Sequence, residues 1–229
     1  MKKYGADRIW PFAQGGEITI LVFTFIMVDA WTVRWVWPSL LSDFLVVIGM
    51  GLWLTVLYFF RDPNREVVNN PGLVVSPGDG VVVEIANEYE DAYLKADAIR
   101  ISIFLSVTDV HVQRVPLGGE VVEVRHNPGK FLQAFKAEAS DVNENIAMVV
   151  KTGYGMYLVK QIAGILARRC VNYMEVGDQI ETGGRFGIIR FSSRVDLFLP
   201  NEADVRIAVG EKVYGGLTAI AQLVKVDGK

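Results

Sequence analysis

Cysteine and histidine are scarce in this chain, and neither sign of charge dominates. The 229 residues include one cysteine, Cys170, and two histidines. A lone cysteine excludes an internal disulfide and argues against a cysteine-based metal site, and two histidines exclude a histidine-rich one. With 23 basic and 26 acidic residues the net charge is -3, which argues against a protein built to coat nucleic acid. We therefore expect neither a metal site nor a nucleic-acid partner.

Charged residues are also few, whereas apolar residues are abundant. Charged residues make up 21% of the chain and hydrophobic residues 51%, with a mean hydropathy of +0.29. The hydrophobic share and the mean hydropathy are high for a purely soluble domain, and the composition is far from that of a disordered chain. The length corresponds to about one and a half typical domains, enough for one buried core and an appendage.

The apolar excess lies near the N-terminus, in two runs. Ile18–Trp37 reads ITILVFTFIMVDAWTVRWVW and Phe44–Phe60 reads FLVVIGMGLWLTVLYFF. Each run has about the length that crosses a hydrocarbon core as a helix. We predict a membrane-anchoring hairpin of two helices over residues 1–61. A buried hairpin or a monotopic insertion is the alternative, because Asp29 and Arg34 fall inside the first run.

Basic residues flank the two apolar runs on both sides. Three of them precede the first run and two follow the second: Lys2, Lys3, Arg8, Arg61 and Arg65. Basic flanks of membrane-spanning helices stay in the cytoplasm. We therefore expect both ends of the hairpin, and the domain that follows it, on the cytoplasmic side of the cell membrane.

The second predicted domain, residues 62–229, is rich in short β-branched runs bounded by Gly, Pro, Asn and Asp. Such runs are typical of strands. The predicted strands are Val81–Ile85, Ile99–Leu105, Glu120–Val124 and Met148–Thr152. Two segments resemble helices instead, Lys130–Ala139 and Tyr157–Arg169.

A weak internal repeat supports the same fold class. The segment VGDQIETG at 176–183 recurs in outline as VGEKVYGG at 209–216. The shared pattern predicts a strand, a tight acidic turn and a second strand, as in sandwiches of the biotinyl or lipoyl type. No lysine stands where a lipoyl or biotinyl carrier would need one. We predict a mainly β, sandwich-like α+β domain, distantly biotinyl/lipoyl-like, after the N-terminal two-helix membrane hairpin.

Two isolated residues have the chemistry of an acid–base pair. His111 lies in the run FLSVTDVHVQRVP, and a single histidine in an apolar run is more often a hydrogen-bonded core residue than a catalyst. Asp79 stands in SPGDG, which any type I or II turn would favour. Its alternative role is to orient an imidazole and stabilise its charged form.

Two adjacent serines near the C-terminus are the candidate reacting residues. Ser192 and Ser193 interrupt the apolar run GRFGIIRFSSRVDLFLP and are followed by Arg194. Burying two hydroxyls together requires partners. An edge-strand pair facing solvent is the structural alternative, and the G-x-S-x-G elbow of the α/β-hydrolases is missing.

Taken together, the motifs resemble those of one family, the short, membrane-anchored bacterial and archaeal form of phosphatidylserine decarboxylase. The resemblance covers almost the whole chain, and its specificity lies in the order and spacing of the motifs. They are Trp10–Phe12, Tyr58–Pro63, Ser76–Gly80, Phe104–Ser106, Val110–Pro116, Pro128–Leu132, Asn143–Asn145 and Gly184–Pro200.

The resemblance implies a pyruvoyl group made from the chain itself. The family pattern at the maturation site is Phe-Gly-Ser-Arg-Val-Asp or a close relative, so Ser193 aligns with the serine that becomes the pyruvoyl group. Ser192 takes the position of the glycine. The implied self-cleavage between these two serines yields fragments 1–192 and 193–229, held together as a heterodimer or within a higher oligomer. The implied activity converts phosphatidylserine, a membrane phospholipid, to phosphatidylethanolamine.

The resemblance also implies roles for the remaining candidates. His111 would accept the proton of the Ser193 hydroxyl, and Asp79 would orient the imidazole. Arg114 and Arg194 are candidate substrate-binding residues, because an arginine fork suits a phosphate or carboxylate.

Two other functions stay open at this point. A membrane-anchored homologue or adaptor that no longer matures is suggested by Ser192 in place of glycine. A Ser-His-Asp lipid hydrolase would use the same residues with Ser193 intact. The residues do not distinguish phosphatidylserine from archaetidylserine as substrate.

Overall fold

The computed structural model describes residues 11–68, 70–132, 142–164, 170–190 and 193–224. The described residues fall into two compact units, one that ends at Pro63 and one that begins at Asn64.

The first unit contains two apolar helices, α1 (Glu17–Val36) and α2 (Leu40–Phe59). Each has 20 residues and is long and apolar enough to cross a membrane, with mean hydropathies of 1.5 and 2.1. Most of their large apolar side chains are exposed, which is unlike the core helices of a soluble protein. Between them Trp53 Nε1 donates a hydrogen bond to Thr24 Oγ1 at 3.0 Å. These helices indicate membrane association.

The turn between the two helices is stabilised by capping and by an ion pair. Ser39 caps α2 and forms a reciprocal capping box with Ser42. Arg34, in the last turn of α1, pairs with Asp43 in the first turn of α2. Each charge also lies at the helix end whose dipole it complements. The charge of Arg34, which counted against a spanning helix, is thus paired close to the end of the segment.

The second unit is built from strands in one large and two small sheets. Its strands are β1 (Leu73–Val75), β2 (Gly80–Glu90), β3 (Ala96–Leu105), β4 (Val112–Arg114), β5 (Gly119–Asn127), β6 (Asn145–Thr152), β7 (Gly155–Ala163), β8 (Cys170–Asn172), β9 (Gln179–Ile180), β10 (Arg185–Ile189), β11 (Ser193–Pro200), β12 (Asp204–Val205), β13 (Lys212–Val213) and β14 (Ala219–Gln222). The large sheet has the order β13-β2-β3-β11-β7-β6-β5-β9, and the small sheets have the orders β1-β14-β12 and β4-β10-β8. The mainly β fold class is confirmed, and so are the four predicted strands, which lie within β2, β3, β5 and β6.

The core lies between the inner face of the large sheet and the two small sheets. Side chains of β3 and β11, such as Ile103 and Val195, pack in one cluster with Phe186 of β10 and Ile220 of β14. A smaller apolar cluster covers part of the opposite face of the large sheet and includes Phe198. The central strand β11 is therefore buried on both faces.

The internal repeat of the sequence is a structural repeat. Gly177 and Gly210 both adopt a positive φ, 91° and 93°, in the tight turns that precede β9 and β13. These short strands pair with β5 and β2, at opposite edges of the large sheet. Each glycine amide also donates to the strand beside it, Gly177 to Val121 and Gly210 to Val82.

The helix predicted at Tyr157–Arg169 is wrong over its described part, because residues 157–163 belong to β7. Tyr157, Leu158 and Val159 are all fully buried. A strand covered on both faces loses the alternation of apolar and polar residues, so its sequence resembles a buried helix. Most of the other predicted helix, Lys130–Ala139, lies outside the described residues.

Candidate active site

Ser193 is the first residue of strand β11, which pairs with β3 on one side and β7 on the other. In the register of the sheet it lies opposite Leu105 of β3 and Ala163 of β7. The residue is fully buried, and its Oγ has no hydrogen-bond partner within the described part of the chain. Alternation along β11 directs this hydroxyl towards the same face as the core residue Val195. Ser192, its partner at the predicted cleavage site, lies outside the described residues.

His111 follows the turn after β3 and is also fully buried. Its Nδ1 lies 2.9 Å from the carbonyl oxygen of Asp109. A carbonyl oxygen can only accept, so Nδ1 carries the proton and Nε2 is the nitrogen that can take up or release one. The His111 carbonyl oxygen accepts from Gln113 Nε2 at 2.7 Å and from the Ile189 amide at 3.4 Å. The second of these bonds ties His111 to the chain four positions before Ser193.

The turn that carries His111 is closed by Asp109. The Asp109 carboxylate accepts from the amide and the hydroxyl of Ser106, both at 2.9 Å, and forms an ion pair with Lys212. Burial disfavours the charged carboxylate, but the hydrogen bonds from Lys212 and Ser106 outweigh it and lower the pKa of Asp109. The turn is thus held by a charged contact between β13 and the segment between β3 and β4.

Asp79 is held by an arginine from the beginning of the same unit. Arg65 Nη1 and Nη2 donate to its two carboxylate oxygens at 2.6 and 2.8 Å, and the Gly215 amide donates to Oδ1 at 2.8 Å. Arg65 Nη1 also donates to the Gly215 carbonyl oxygen at 2.6 Å. A carboxylate that accepts this many hydrogen bonds is fixed in orientation.

Ser193 and the turn that carries Asp79 both neighbour Leu105. A Cβ on Gly78, the residue before Asp79, would lie 3.6 Å from the Leu105 side chain. Leu105 is in turn the register partner of Ser193 and ends β3, six positions before His111. Ser193 and the turn that carries Asp79 thus both lie beside the C-terminal end of β3, and His111 follows that strand in the chain.

The two candidate substrate-binding arginines have different surroundings. Arg114 is buried beside Gly216 and donates from Nη1 to the Gly183 carbonyl oxygen at 3.2 Å. Arg194 follows Ser193 on β11, so its side chain leaves the opposite face of the sheet. There its Nε donates to Asp196 at 2.6 Å.

Comparison with known proteins identifies the family. The sequence model of the phosphatidylserine decarboxylase family matches residues 52–221. A phosphatidylserine decarboxylase proenzyme of Carboxydothermus hydrogenoformans is 41% identical over 186 residues, 81% of this chain and 87% of the relative. The proenzyme of Syntrophotalea carbinolica is 40% identical over 93% of this chain and 97% of the relative, and that of Amoebophilus asiaticus is 45% identical over 78% and 79%. The chain belongs to the phosphatidylserine decarboxylase family.

In this member of the phosphatidylserine decarboxylase family, two contacts of the site were not predicted from sequence. The sequence marks Arg65 only as a basic flank of the hairpin, whereas in the structure it binds Asp79. No sequence pattern marks Lys212, which binds Asp109 two positions before His111. Neither residue stands in a pattern that would reveal its partner, because the partners are 14 and 103 positions away.

Proposed function

We propose that this chain decarboxylates phosphatidylserine to phosphatidylethanolamine, using a pyruvoyl group formed from Ser193 by autocatalytic cleavage between Ser192 and Ser193. Family membership supports the reaction, and the relatives' name of proenzyme supports a maturation step.

The state of Ser193 is the observation that carries the proposal. A fully buried hydroxyl without a hydrogen-bond partner in the described part of the chain is costly to maintain in a folded protein. A hydrolase nucleophile must meet its substrate in the uncleaved chain, where Ser193 is fully buried, whereas a pyruvoyl group meets its substrate only after cleavage has separated residue 192 from it. Attack on the carbonyl of the preceding residue needs no access from outside. The site therefore fits a serine that is consumed to form a pyruvoyl group better than a Ser-His-Asp hydrolase.

Cleavage begins with an N-to-O acyl shift. Ser193 Oγ attacks the carbonyl carbon of Ser192, the new C–O bond forms, and the C–N bond between the two residues breaks. His111 Nε2 accepts the hydroxyl proton and passes it to the freed nitrogen. Asp79, which Arg65 holds in an ion pair, is the carboxylate that we assign to orienting the imidazole.

The ester is then opened by β-elimination. A base removes the Cα proton of Ser193, the Cβ–O bond breaks, and residue 192 leaves as a free carboxylate. Dehydroalanine remains at the head of fragment 193–229. One water then hydrolyses it, its nitrogen departs as ammonia, and a ketone is left in its place. We assign the removal of the Cα proton to His111.

The two fragments remain one functional unit because catalytic contacts cross the cleavage point. Lys212 and Gly215, from the smaller fragment, bind Asp109 and Asp79 of the larger one. Strand β11 also pairs with β3 over its whole length and with β7 from Ser193 to Phe198. We therefore expect a heterodimer in which neither fragment has a complete site alone.

The pyruvoyl group supplies an electron sink for the electron pair left by the departing carbon dioxide. His111 gives back a proton at the decarboxylated carbon, and Arg114 binds the phosphate or carboxylate of the substrate headgroup. The two apolar helices keep the enzyme at the bilayer that contains its substrate. Because basic flanks of membrane helices favour the cytoplasm, we infer that the decarboxylase domain lies on the cytoplasmic side.

The intact mass of the purified full-length protein tests the proposal, with Ser193→Ala as the control. The parent chain should yield two polypeptides, and residues 193–229 should appear near 4 kDa, at roughly 110 Da per residue, without a normal amino terminus. The Ser193→Ala variant should stay in one piece. A single parent polypeptide of full mass would indicate a homologue that does not mature. Labelling of an intact Ser193 by a fluorophosphonate would indicate a hydrolase.

A further inference from the structure

Arg194 is almost completely buried, 1% exposed, and occupies a polar cluster on the face of the sheet opposite Ser193. Its Nη2 donates to Ser102 Oγ at 2.6 Å and to Glu84 Oε2 at 3.2 Å. Its Nε donates to Asp196 Oδ1 at 2.6 Å. A single guanidinium thus contacts three adjacent strands, β2, β3 and β11.

The acceptors of Arg194 form a row across the sheet. Glu84 lies opposite Ser102 in the pairing of β2 with β3, and Ser102 lies opposite Asp196 in the pairing of β3 with β11. Arg100 extends the row away from Ser193, with bonds to Glu84 and to Glu88 at 2.9–3.1 Å. On this face of the sheet two arginines therefore alternate with three carboxylates, those of Glu84, Glu88 and Asp196.

The network is buried at Arg194 and Asp196, whereas Glu84 and Glu88 are 34% and 37% exposed, and a partly buried ion network is weak as a source of stability. Desolvation of its charges cancels most of their attraction, and apolar residues of similar volume often stabilise a fold as well or better. What such a network supplies is geometry, since only one register of the three strands satisfies all of its donors and acceptors. Arg194 is the member closest to the reacting residue, because its own amide nitrogen forms the bond to Ser193.

Cleavage makes this geometry harder to keep. Before cleavage the preceding chain restrains Ser193, whereas afterwards the first residue of β11 is a chain end, and chain ends fray unless they are bound. The side chain of Arg194 is the first anchor available to the new end.

We propose that Arg194 is a positioning residue that holds the start of β11 on β3 and β2, so that Ser193 keeps its geometry during cleavage and the pyruvoyl group keeps it during turnover. The inference rests on the proposed function. It assigns Arg194 a role in place of the substrate contact expected from sequence, since its donors bind Asp196, Ser102 and Glu84 on the far face of the sheet.

The test compares Arg194→Met with Arg100→Met in the full-length protein in detergent or lipid nanodiscs. Both variants remove one cation from the same network, but only the first alters the residue next to Ser193. We measure the rate of chain cleavage, the melting temperature, and kcat and KM of the cleaved fraction. Arg194→Met should cleave at least about tenfold more slowly and lose kcat with KM unchanged within about twofold, as a displaced reacting group requires. Arg100→Met should cleave within about twofold of the parent at a similar loss of melting temperature.

Two more variants complete the design. Arg194→Lys should recover part of the cleavage rate. If Arg194→Met does not fold, Asp196→Asn replaces it in the test; this change keeps the shape of the side chain and should also slow cleavage. The inference would be overturned if Arg194→Met, or Asp196→Asn where it replaces that variant, had the cleavage rate and the kcat of the parent protein. Equal slowing in Arg100→Met would do the same. A parent chain that never cleaves would instead count against the proposed function.

Discussion

Arg65 binds Asp79 through both terminal nitrogens, at 2.6 and 2.8 Å, and each side chain is only 7% exposed. The contact ties the beginning of the second unit to the turn before β2. It fixes the carboxylate that we assign to orienting His111. The same arginine donates to the Gly215 carbonyl, so the part of the chain that follows the proposed cleavage site takes part in the arrangement.

Replacing Arg65 by methionine should destabilise the protein by about 3 kcal/mol, because it leaves a buried carboxylate without its cation. Arg206→Met is the matched control, since Arg206 pairs with Asp204 on the exposed surface and its loss should cost under about 1 kcal/mol. Denaturant unfolding in detergent measures both. Equal losses in the two variants would contradict a structural role for the buried pair.

Asp109 should make the free energy of unfolding depend on pH in the acid range. Its pKa is lowered in the folded state, so its contribution is present above the ordinary carboxyl value of 3.8 and is lost as the pH falls through the lowered pKa. The stability gap between the parent and Asp109→Asn should therefore be full at pH 6 and should close with acidification. Unfolding curves at several pH values measure this gap, with Asp204→Asn as the surface control. A gap independent of pH would show that Asp109 does not gain from its partners.

Cys170 should be unreactive in the folded protein. Burial, together with the nearby charge of Glu144, raises the pKa of its thiol far above the usual range, so the reactive thiolate is scarce. Iodoacetamide at pH 8 should leave the native protein unmodified and should label one site per chain in denaturant, as counted by mass. Stoichiometric labelling of the native protein would contradict the burial of this thiol.

Gly80 should not tolerate a side chain, because a Cβ there would lie 2.3 Å from the Phe104 carbonyl oxygen. Gly119 occupies a comparable place at the start of β5 and would bring a Cβ to 2.3 Å from the Lys151 carbonyl oxygen. We expect alanine at either position to destabilise the protein by about 2 kcal/mol or more through displaced strand pairing. Gly153→Ala is the control, since nothing lies within 4 Å of its Cβ and its effect should stay within about 0.5 kcal/mol. Melting curves that rank Gly153→Ala with the other two would refute this explanation.

The sequence by itself determined the features that depend on neighbouring residues. The two apolar helices follow from the length of their runs, and the strands β2, β3, β5 and β6 follow from β-branched runs between turn residues. The order of motifs identified the family. The roles assigned to Ser193, His111 and Asp79 remain predictions; the structure places Ser193 and the turn that carries Asp79 beside the end of β3.

Only the tertiary structure decided what depends on residues far apart in the chain. It made residues 157–163 a strand, because burial on both faces hides the alternation that marks a strand. It paired Asp79 with Arg65 and Asp109 with Lys212. It also brought Arg194 and Arg100 together with their acceptors on β2, β3 and β11. A local pattern records the periodicity of one element, whereas an ion pair between elements depends on how sheets stack and register, which no short stretch of sequence contains.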